Sequence, residues 1–200
     1  MSESAPASVT AEPLLPWFIR DQQWSRAGLP LAIILFLLGP FLRPALGPSR
    51  FLIFLHLPVY MLHQVEEHGH GAFKAYTARL LPHARGLSDE TIFAVNVGVW
   101  GVNLAALYLA RVDRLARSLI APYVVLVNGI LHLVTALRAR RSNPGLWTGL
   151  ILFLPLGGAT LAKVGRESRA TRRDHAWGVS GAILLHVLTM LGILFAGKKK

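Results

Sequence analysis

The chain has 200 residues, of which 53% are hydrophobic and 16% charged, and its mean hydropathy is +0.46. Polar residues are too few to cover a water-facing surface, so the composition excludes an ordinary soluble domain and favours a membrane protein. The net charge of +11 comes from basic residues scattered among the loops between apolar blocks. Without an aromatic-interleaved basic face, these residues indicate contact with anionic membrane lipids and no nucleic-acid partner.

The first 27 residues precede the long apolar blocks. Residues 1–16 carry no basic residue ahead of an apolar core, so they predict a disordered tail rather than a cleavable signal peptide. Residues 17–27 combine two tryptophans with Arg and Asp, a composition typical of the lipid head-group region, and predict an interfacial segment. Residues 28–197 are then predicted to form a single transmembrane helical domain.

Six apolar blocks follow, each close to the roughly 20 residues that a helix needs to cross the hydrocarbon core. Strand-like alternation is absent, so the sequence predicts an all-α integral membrane protein, a helical bundle of about six transmembrane spans. Basic residues divide almost evenly between the loops of the two faces and therefore predict no orientation. The predicted spans are 28–46, 51–69, 91–110, 119–137, 146–162 and 177–196.

Two further features of the sequence bear on the first span and on the ligands available to a metal. The first predicted span is interrupted by Gly39, Pro40 and Arg43, a pattern that allows it to span, to kink or to re-enter. The chain has no cysteine, so a bound metal would need His, carboxylate or amide ligands.

Ionisable residues are concentrated where the second span ends, in the sequence HQVEEHGHG. Such groups cost several kcal/mol inside a bilayer, so each needs a partner or a purpose. At roughly 100° per residue, several of these groups fall on one stripe of the helix, Glu66 lies about 60° off His63, and His68 is expected to point elsewhere and to be solvated. Four residues share the stripe: His56, His63, Glu67 and His70.

Other spans carry polar residues at similar depths. Asn128 and His132 are four residues apart and therefore lie on one face of the fourth predicted span. Because polar groups from four spans reach matching depths, we expect them to meet, with His56 lying deeper. Measured by helix rise from the face where the glutamates emerge, five residues lie roughly 8 to 15 Å deep: His63, Asn96, Asn128, His132 and His186.

The segment HQVEE, which begins at His63, resembles the motif of the HXXEE family, a group of small multi-span membrane proteins. The resemblance extends over the span architecture from about Gly28 to Ala196. It gives weight to the histidine and both glutamates of the motif, and the Asn128/His132 pair is similar to a second element of the same kind. The family name implies no established reaction, so the chemistry has to be inferred from the residues.

These residues favour a metal-dependent membrane enzyme, of hydrolase or isomerase type, that acts on a lipid-soluble substrate. A mixed nitrogen and oxygen ligand set suits a divalent transition metal, zinc or iron. Of the catalytic candidates Glu66 and Glu67, one would bind the metal and the other would act as general base on metal-bound water. The candidate metal ligands are His63, Glu66, Glu67, His70, His132 and His186, and the supporting polar residues are Asn96, Asn128 and His56.

The same cluster permits other functions. A di-iron centre usually uses a Glu-x-x-His spacing, whereas the order here is His-x-x-Glu. Glutamate-type intramembrane proteases also carry a Glu pair and a later His/Asn pair, but Gly71 and the order of Asn128 and His132 depart from their pattern. A carrier or proton pathway, a haem-binding bundle, and simple hydrogen bonding between helices are the remaining alternatives.

Overall fold

The computed structural model describes residues 14–80, 88–111 and 114–195. These residues are almost entirely helical and include no strand, so the predicted all-α fold is confirmed. Most of the predicted tail, residues 1–13, lies outside the described residues, as do residues 196 and 197 at the end of the predicted domain. Helix α1, Leu14–Ile19, begins before the predicted tail ends and leads into the interfacial segment.

Helix α2, Gln23–His68, contains the first two predicted spans. Gly47 interrupts it with φ 70° and ψ 169°, a conformation that is essentially confined to glycine. We call residues 23–46 the first arm and residues 48–68 the second arm.

The two arms pack against each other in antiparallel order. Near the turn, a Cβ added at Gly39 would lie 3.5 Å from the Phe51 ring. Near the open end, a Cβ added at Gly28 would lie 3.8 Å from the Met61 Cβ. Because early residues of the first arm meet late residues of the second, the arms form a helical hairpin and count as two spans.

The first arm is helical up to the turn, so of the three possibilities left by its sequence the structure has a full-length helix. Its outer face carries large apolar side chains, including Leu37 at 67% and Phe41 at 79% exposure. A contiguous apolar face of this kind suits a hydrocarbon environment and suggests a helix that spans a membrane. Pro40 also lies on the exposed side.

The remaining helices match the other four predicted spans to within about five residues at most ends. Five continuous segments among the described residues are long and apolar enough to cross a membrane, and the longest, Gln23–Leu80, includes both arms. The predicted bundle of about six helices is therefore confirmed. The helices that follow the second arm are α3 Ala72–Leu80, α4 Asp89–Arg111, α5 Ile120–Ala139, α6 Leu146–Thr148, α7 Leu154–Glu167 and α8 Arg172–Phe195.

A π-helical segment, Gly149–Phe153, joins α6 to α7 and packs closely on α5. A Cβ added at Gly129 would lie 3.1 Å from the Gly149 carbonyl oxygen, so this contact favours glycine at position 129. The close approach brings the start of α6 beside the C-terminal half of α5.

Candidate metal centre

Three side chains converge where the second arm meets α5. His63 Nε2 lies 3.4 Å from Glu67 Oε2, one helical turn further along the second arm. His132 Nε2, on α5, lies 3.6 Å from Glu67 Oε1. The three potential ligand atoms all lie within 4.8 Å of one another, so the group could hold a metal ion.

The ring orientation of His63 is fixed by Thr148 at the end of α6. His63 Nδ1 lies 2.8 Å from Thr148 Oγ1. The Thr148 hydroxyl donates its proton to Glu66 Oε2 at 2.6 Å, so toward His63 it can only accept. His63 Nδ1 therefore carries a hydrogen, and in the uncharged ring Nε2 presents a lone pair to Glu67.

His132 has the same arrangement through Asn143, which lies in the loop between α5 and α6. The Asn143 Nδ2 donates to the His132 carbonyl oxygen at 2.8 Å, which fixes the orientation of the amide. The Asn143 Oδ1 then accepts from His132 Nδ1 at 2.7 Å. His132 therefore also directs an Nε2 lone pair at the Glu67 carboxylate.

Three imidazoles face this carboxylate, because His68 Nε2 also lies 3.3 Å from Glu67 Oε2. Their lone pairs repel the carboxylate unless positive charge lies between them. His63 Nε2 is buried and has no hydrogen-bond partner among the described residues, and His63 itself is 0% exposed. Buried polar atoms are rarely left without a partner. A metal ion would satisfy all three ligands at once, and the outer partners Thr148 and Asn143 are of the kind that orients histidine ligands.

Glu66, the neighbouring carboxylate, lies outside this cluster and binds the start of α6. Its carboxylate accepts hydrogen bonds from the backbone nitrogens of Trp147 at 3.1 Å and Thr148 at 2.7 Å. Free N–H groups at a helix start favour such an anion. The two adjacent glutamates thus point to different partners, as their angular separation on a helix requires.

His68 was expected to point away from the cluster and to be solvated, and this prediction is wrong. The residue is 1% exposed, and its Nε2 lies 3.3 Å from Glu67 Oε2. Its Nδ1 bonds to Gln22 Oε1 at 3.0 Å, and its ring lies 5.1 Å from that of Trp24. Gln22 and Trp24, from the segment predicted to be interfacial, lie over this side of the helix and bury it, which a single-helix projection does not include.

His70, a candidate ligand, does not join the cluster. The second arm ends at His68, and His70 lies in a turn with φ 56°. Its Nδ1 lies 3.1 Å from Arg26 Nη2 at the exposed surface. The helical stripe therefore ends before it reaches this residue.

His56 and Asn96, two of the supporting candidates, make contacts between helices. His56 is 0% exposed, and its Nε2 bonds to Thr160 Oγ1 on α7 at 3.0 Å. The Asn96 Oδ1, on α4, accepts from Gln64 Nε2 at 3.0 Å. Both residues hold the second arm to its neighbours.

Asn128 and His186 lie beside the cluster and line a cavity with it. The cavity has a volume of about 210 Å³ and is bounded by Glu67 and His132 as well as by residues of α3, α5 and α8. A second cavity of about 70 Å³ shares Glu67, Asn128 and His186. These two candidates therefore face a space next to the cluster rather than the ligand group itself.

Gly145 completes the site, and neither it nor Thr148 nor Asn143 was among the residues predicted from the sequence. A Cβ at Gly145 would lie 2.7 Å from the Cε1 atoms of both His63 and His132, and its φ is +89°. These three residues lie in and after a short loop and carry no periodic signal. Asn143 and Gly145 lie just before the fifth predicted span, and Thr148 lies in its first turn.

A family model described as a protein of unknown function with HXXEE motif matches residues 54–160. The chain belongs to this family. The matched range includes the three residues of the cluster and also Asn143 and Thr148. No curated protein and no solved structure matches the chain.

Proposed function

We propose that this HXXEE-family protein is a metal-dependent membrane enzyme of hydrolase or isomerase type, acting on a lipid-soluble substrate. Its centre would hold one divalent transition metal, zinc or iron, on His63, Glu67 and His132. The observation that supports this is the mutual distance of the three ligand atoms, which all lie within 4.8 Å of one another, with each of the two imidazoles held at Nδ1 by a side-chain acceptor. Two nitrogens and one oxygen suit either metal.

Three protein ligands would leave a coordination position open, where a bound ion supplies Lewis acidity. Glu66 is engaged by two backbone N–H groups and by the Thr148 hydroxyl. We therefore assign Glu66 a positioning role: it holds Thr148, and Thr148 holds the His63 ring. This positioning role replaces the role of general base, because the oxygens of the Glu66 carboxylate already accept three hydrogen bonds.

The geometry favours this proposal over the alternatives. Among the described residues, one carboxylate enters the cluster, whereas a di-iron centre needs several. The Glu67 carboxylate lies between His63 and His132, where a haem would have to lie. The stacked rings of Tyr60 and Phe153 both pack on the His63 ring, with centroids 5.9 and 4.3 Å from it, and this aromatic surface disfavours a continuous proton pathway.

The metal can be tested on protein purified without chelators. We expect about one zinc or iron per chain by elemental analysis, and loss of that metal in Glu67→Gln and His132→Ala. His70→Ala is the matched control, because this imidazole is close in sequence but bonded to Arg26 at the surface. Wild-type protein without a transition metal, or unchanged content in both variants, would contradict the proposal.

The reaction type can be tested by mass spectrometry of membrane lipids incubated with metal-loaded and chelator-treated protein. A hydrolase gives products related to the substrate by addition of water, and an isomerase gives products of unchanged mass. Products that gain oxygen or lose hydrogen would instead identify an oxidation and overturn the proposed class.

A further inference from the structure

Exposed apolar side chains border the cavity beside the cluster. Its mouth lies between α3, α5 and α8, and its rim includes Leu131 at 45% and Met190 at 48% exposure. Leu131 lies eight residues before the end of α5, which by helix rise is about 12 Å from that end. A ligand can therefore reach the cavity sideways from the hydrocarbon region.

Most of the cavity wall is apolar, formed by residues such as Phe73 and Pro144. Among the described residues that line it there is no Lys or Arg, so the wall supplies no cation for a phosphate head group. Its volume of about 210 Å³ somewhat exceeds the roughly 150 Å³ of a cavity that holds benzene. A small head group and the first few carbons would fill it, and the rest of the chain would remain in the bilayer.

Two polar side chains in this wall have hydrogen-bonding capacity to spare. The Asn128 Oδ1 is buried and has no hydrogen-bond partner among the described residues. The His186 Nδ1 donates to the Ala182 carbonyl oxygen at 2.8 Å, so in the uncharged ring the opposite nitrogen, Nε2, is an acceptor. Unsatisfied acceptors in an apolar wall favour a ligand that brings a hydrogen-bond donor.

We propose that Asn128 and His186 form the head-group site for the substrate, an inference that rests on the proposed function. The substrate is then a lipid whose small head group carries a hydrogen-bond donor. Long-chain alcohols and primary amides have this chemistry, whereas methyl esters of the same length have no donor. The head group would lie next to Glu67 and His132, which border the same cavity. His186 is then a binding residue and not a metal ligand.

The test uses full-length protein in lipid nanodiscs and a photoreactive twelve-carbon alcohol as probe. Competition with dodecanol, dodecanamide and methyl dodecanoate measures the requirement for a donor. We expect the alcohol and the amide to compete at concentrations about tenfold lower than the ester, the ratio expected when one buried acceptor is left unsatisfied. Equal competition by the methyl ester would overturn the proposal.

Two pairs of variants locate the site. Leu131→Trp should block the mouth and reduce specific labelling at least about fivefold, while Leu137→Trp, on the same helix, at 67% exposure and outside the cavity wall, should not. Asn128→Leu and His186→Phe should remove the preference for alcohol over ester. Labelling that Leu131→Trp leaves intact, or a preference that both polar replacements leave intact, would contradict the assignment.

Metal content measured on the same samples separates the two proposals. Metal-containing protein that shows no donor preference overturns the head-group site alone. Metal-free protein that shows the donor preference overturns the metal-dependent enzyme and supports the binding site.

Discussion

Replacing Gly145 by Ala tests whether the two imidazoles need the space that this residue leaves. The added Cβ would lie 2.7 Å from the Cε1 atoms of His63 and His132, closer than Cβ atoms approach other atoms in proteins. Neither ring can simply retreat, because Thr148 and Asn143 hold the Nδ1 atoms, which are bonded to these Cε1 atoms, at 2.8 and 2.7 Å. Both rings must therefore shift, or the loop must move.

The expected loss of stability in Gly145→Ala has two parts. The backbone of Gly145 has φ +89°, a left-handed conformation that costs an L side chain about 1 to 2 kcal/mol. Overpacking against the two rings adds about 1 to 3 kcal/mol. We therefore expect Gly145→Ala to destabilise the protein by about 2 to 5 kcal/mol and to weaken metal binding at least about 100-fold, above the range for outer ligand partners.

Gly71→Ala is the control for backbone strain. Gly71 has φ +71°, and an added Cβ there would meet no atom within 4 Å. Both variants should therefore carry the same backbone strain, but only Gly145→Ala should add a steric clash with the two imidazole rings. Thermal unfolding with and without metal, and metal competition against a chelating dye, measure both effects. If Gly145→Ala binds metal as tightly as Gly71→Ala, the assigned ring positions are wrong.

Three further predictions concern the surroundings of the cluster. Thr148→Val removes the group that links Glu66 to His63 and should weaken metal binding by about 10- to 100-fold, whereas Thr148→Ser should restore it; equal affinities in a dye competition would refute the link. His56→Leu removes an interhelical hydrogen bond of about 0.6 kcal/mol on average and should lower stability by less than about 1 kcal/mol without loss of metal in elemental analysis. Removing the metal with a chelator should lower the unfolding midpoint, because metal at about 1,000 times its Kd stabilises the folded state by about 4 kcal/mol; an unchanged midpoint would identify the cluster as helix packing alone.

The spans were predictable because they depend on block length and hydropathy, which the sequence contains directly. The hairpin turn at Gly47 falls between the first two predicted spans, where both of these helices have to end. The pairing of His63 with Glu67 follows from their spacing of one helical turn. The approach of His132 follows from its depth on another span.

The parts that the sequence could not indicate depend on contacts between segments. His68 is buried because Gln22 and Trp24 fold over it from the interfacial segment. His70 leaves the predicted stripe because the helix ends two residues earlier. Neither the packing of Gln22 and Trp24 nor the end of the helix changes the periodicity of the second arm. A helical projection therefore places His68 away from the cluster and His70 with it.

The hydrogen-bond partners of His63 Nδ1 and His132 Nδ1 could not be predicted from the sequence either. Thr148 and Asn143 are common residue types at the start of a helix and in a loop, and their role appears only when α6 is packed against the second arm and α5. The division of labour between Glu66 and Glu67 has the same origin. Their adjacency indicated that they point in different directions, but not that one of them binds the start of α6.

An X-ray absorption spectrum of the metal in wild-type protein tests the central claim most directly. The account predicts a single metal environment with two imidazole ligands, assigned to His63 and His132, and a light oxygen ligand, assigned to Glu67. For zinc, the nitrogen and oxygen distances should be about 2.0 to 2.2 Å. A metal–metal vector at about 3.5 to 4 Å would indicate a two-metal site and would contradict the account, as would a spectrum without imidazole scattering.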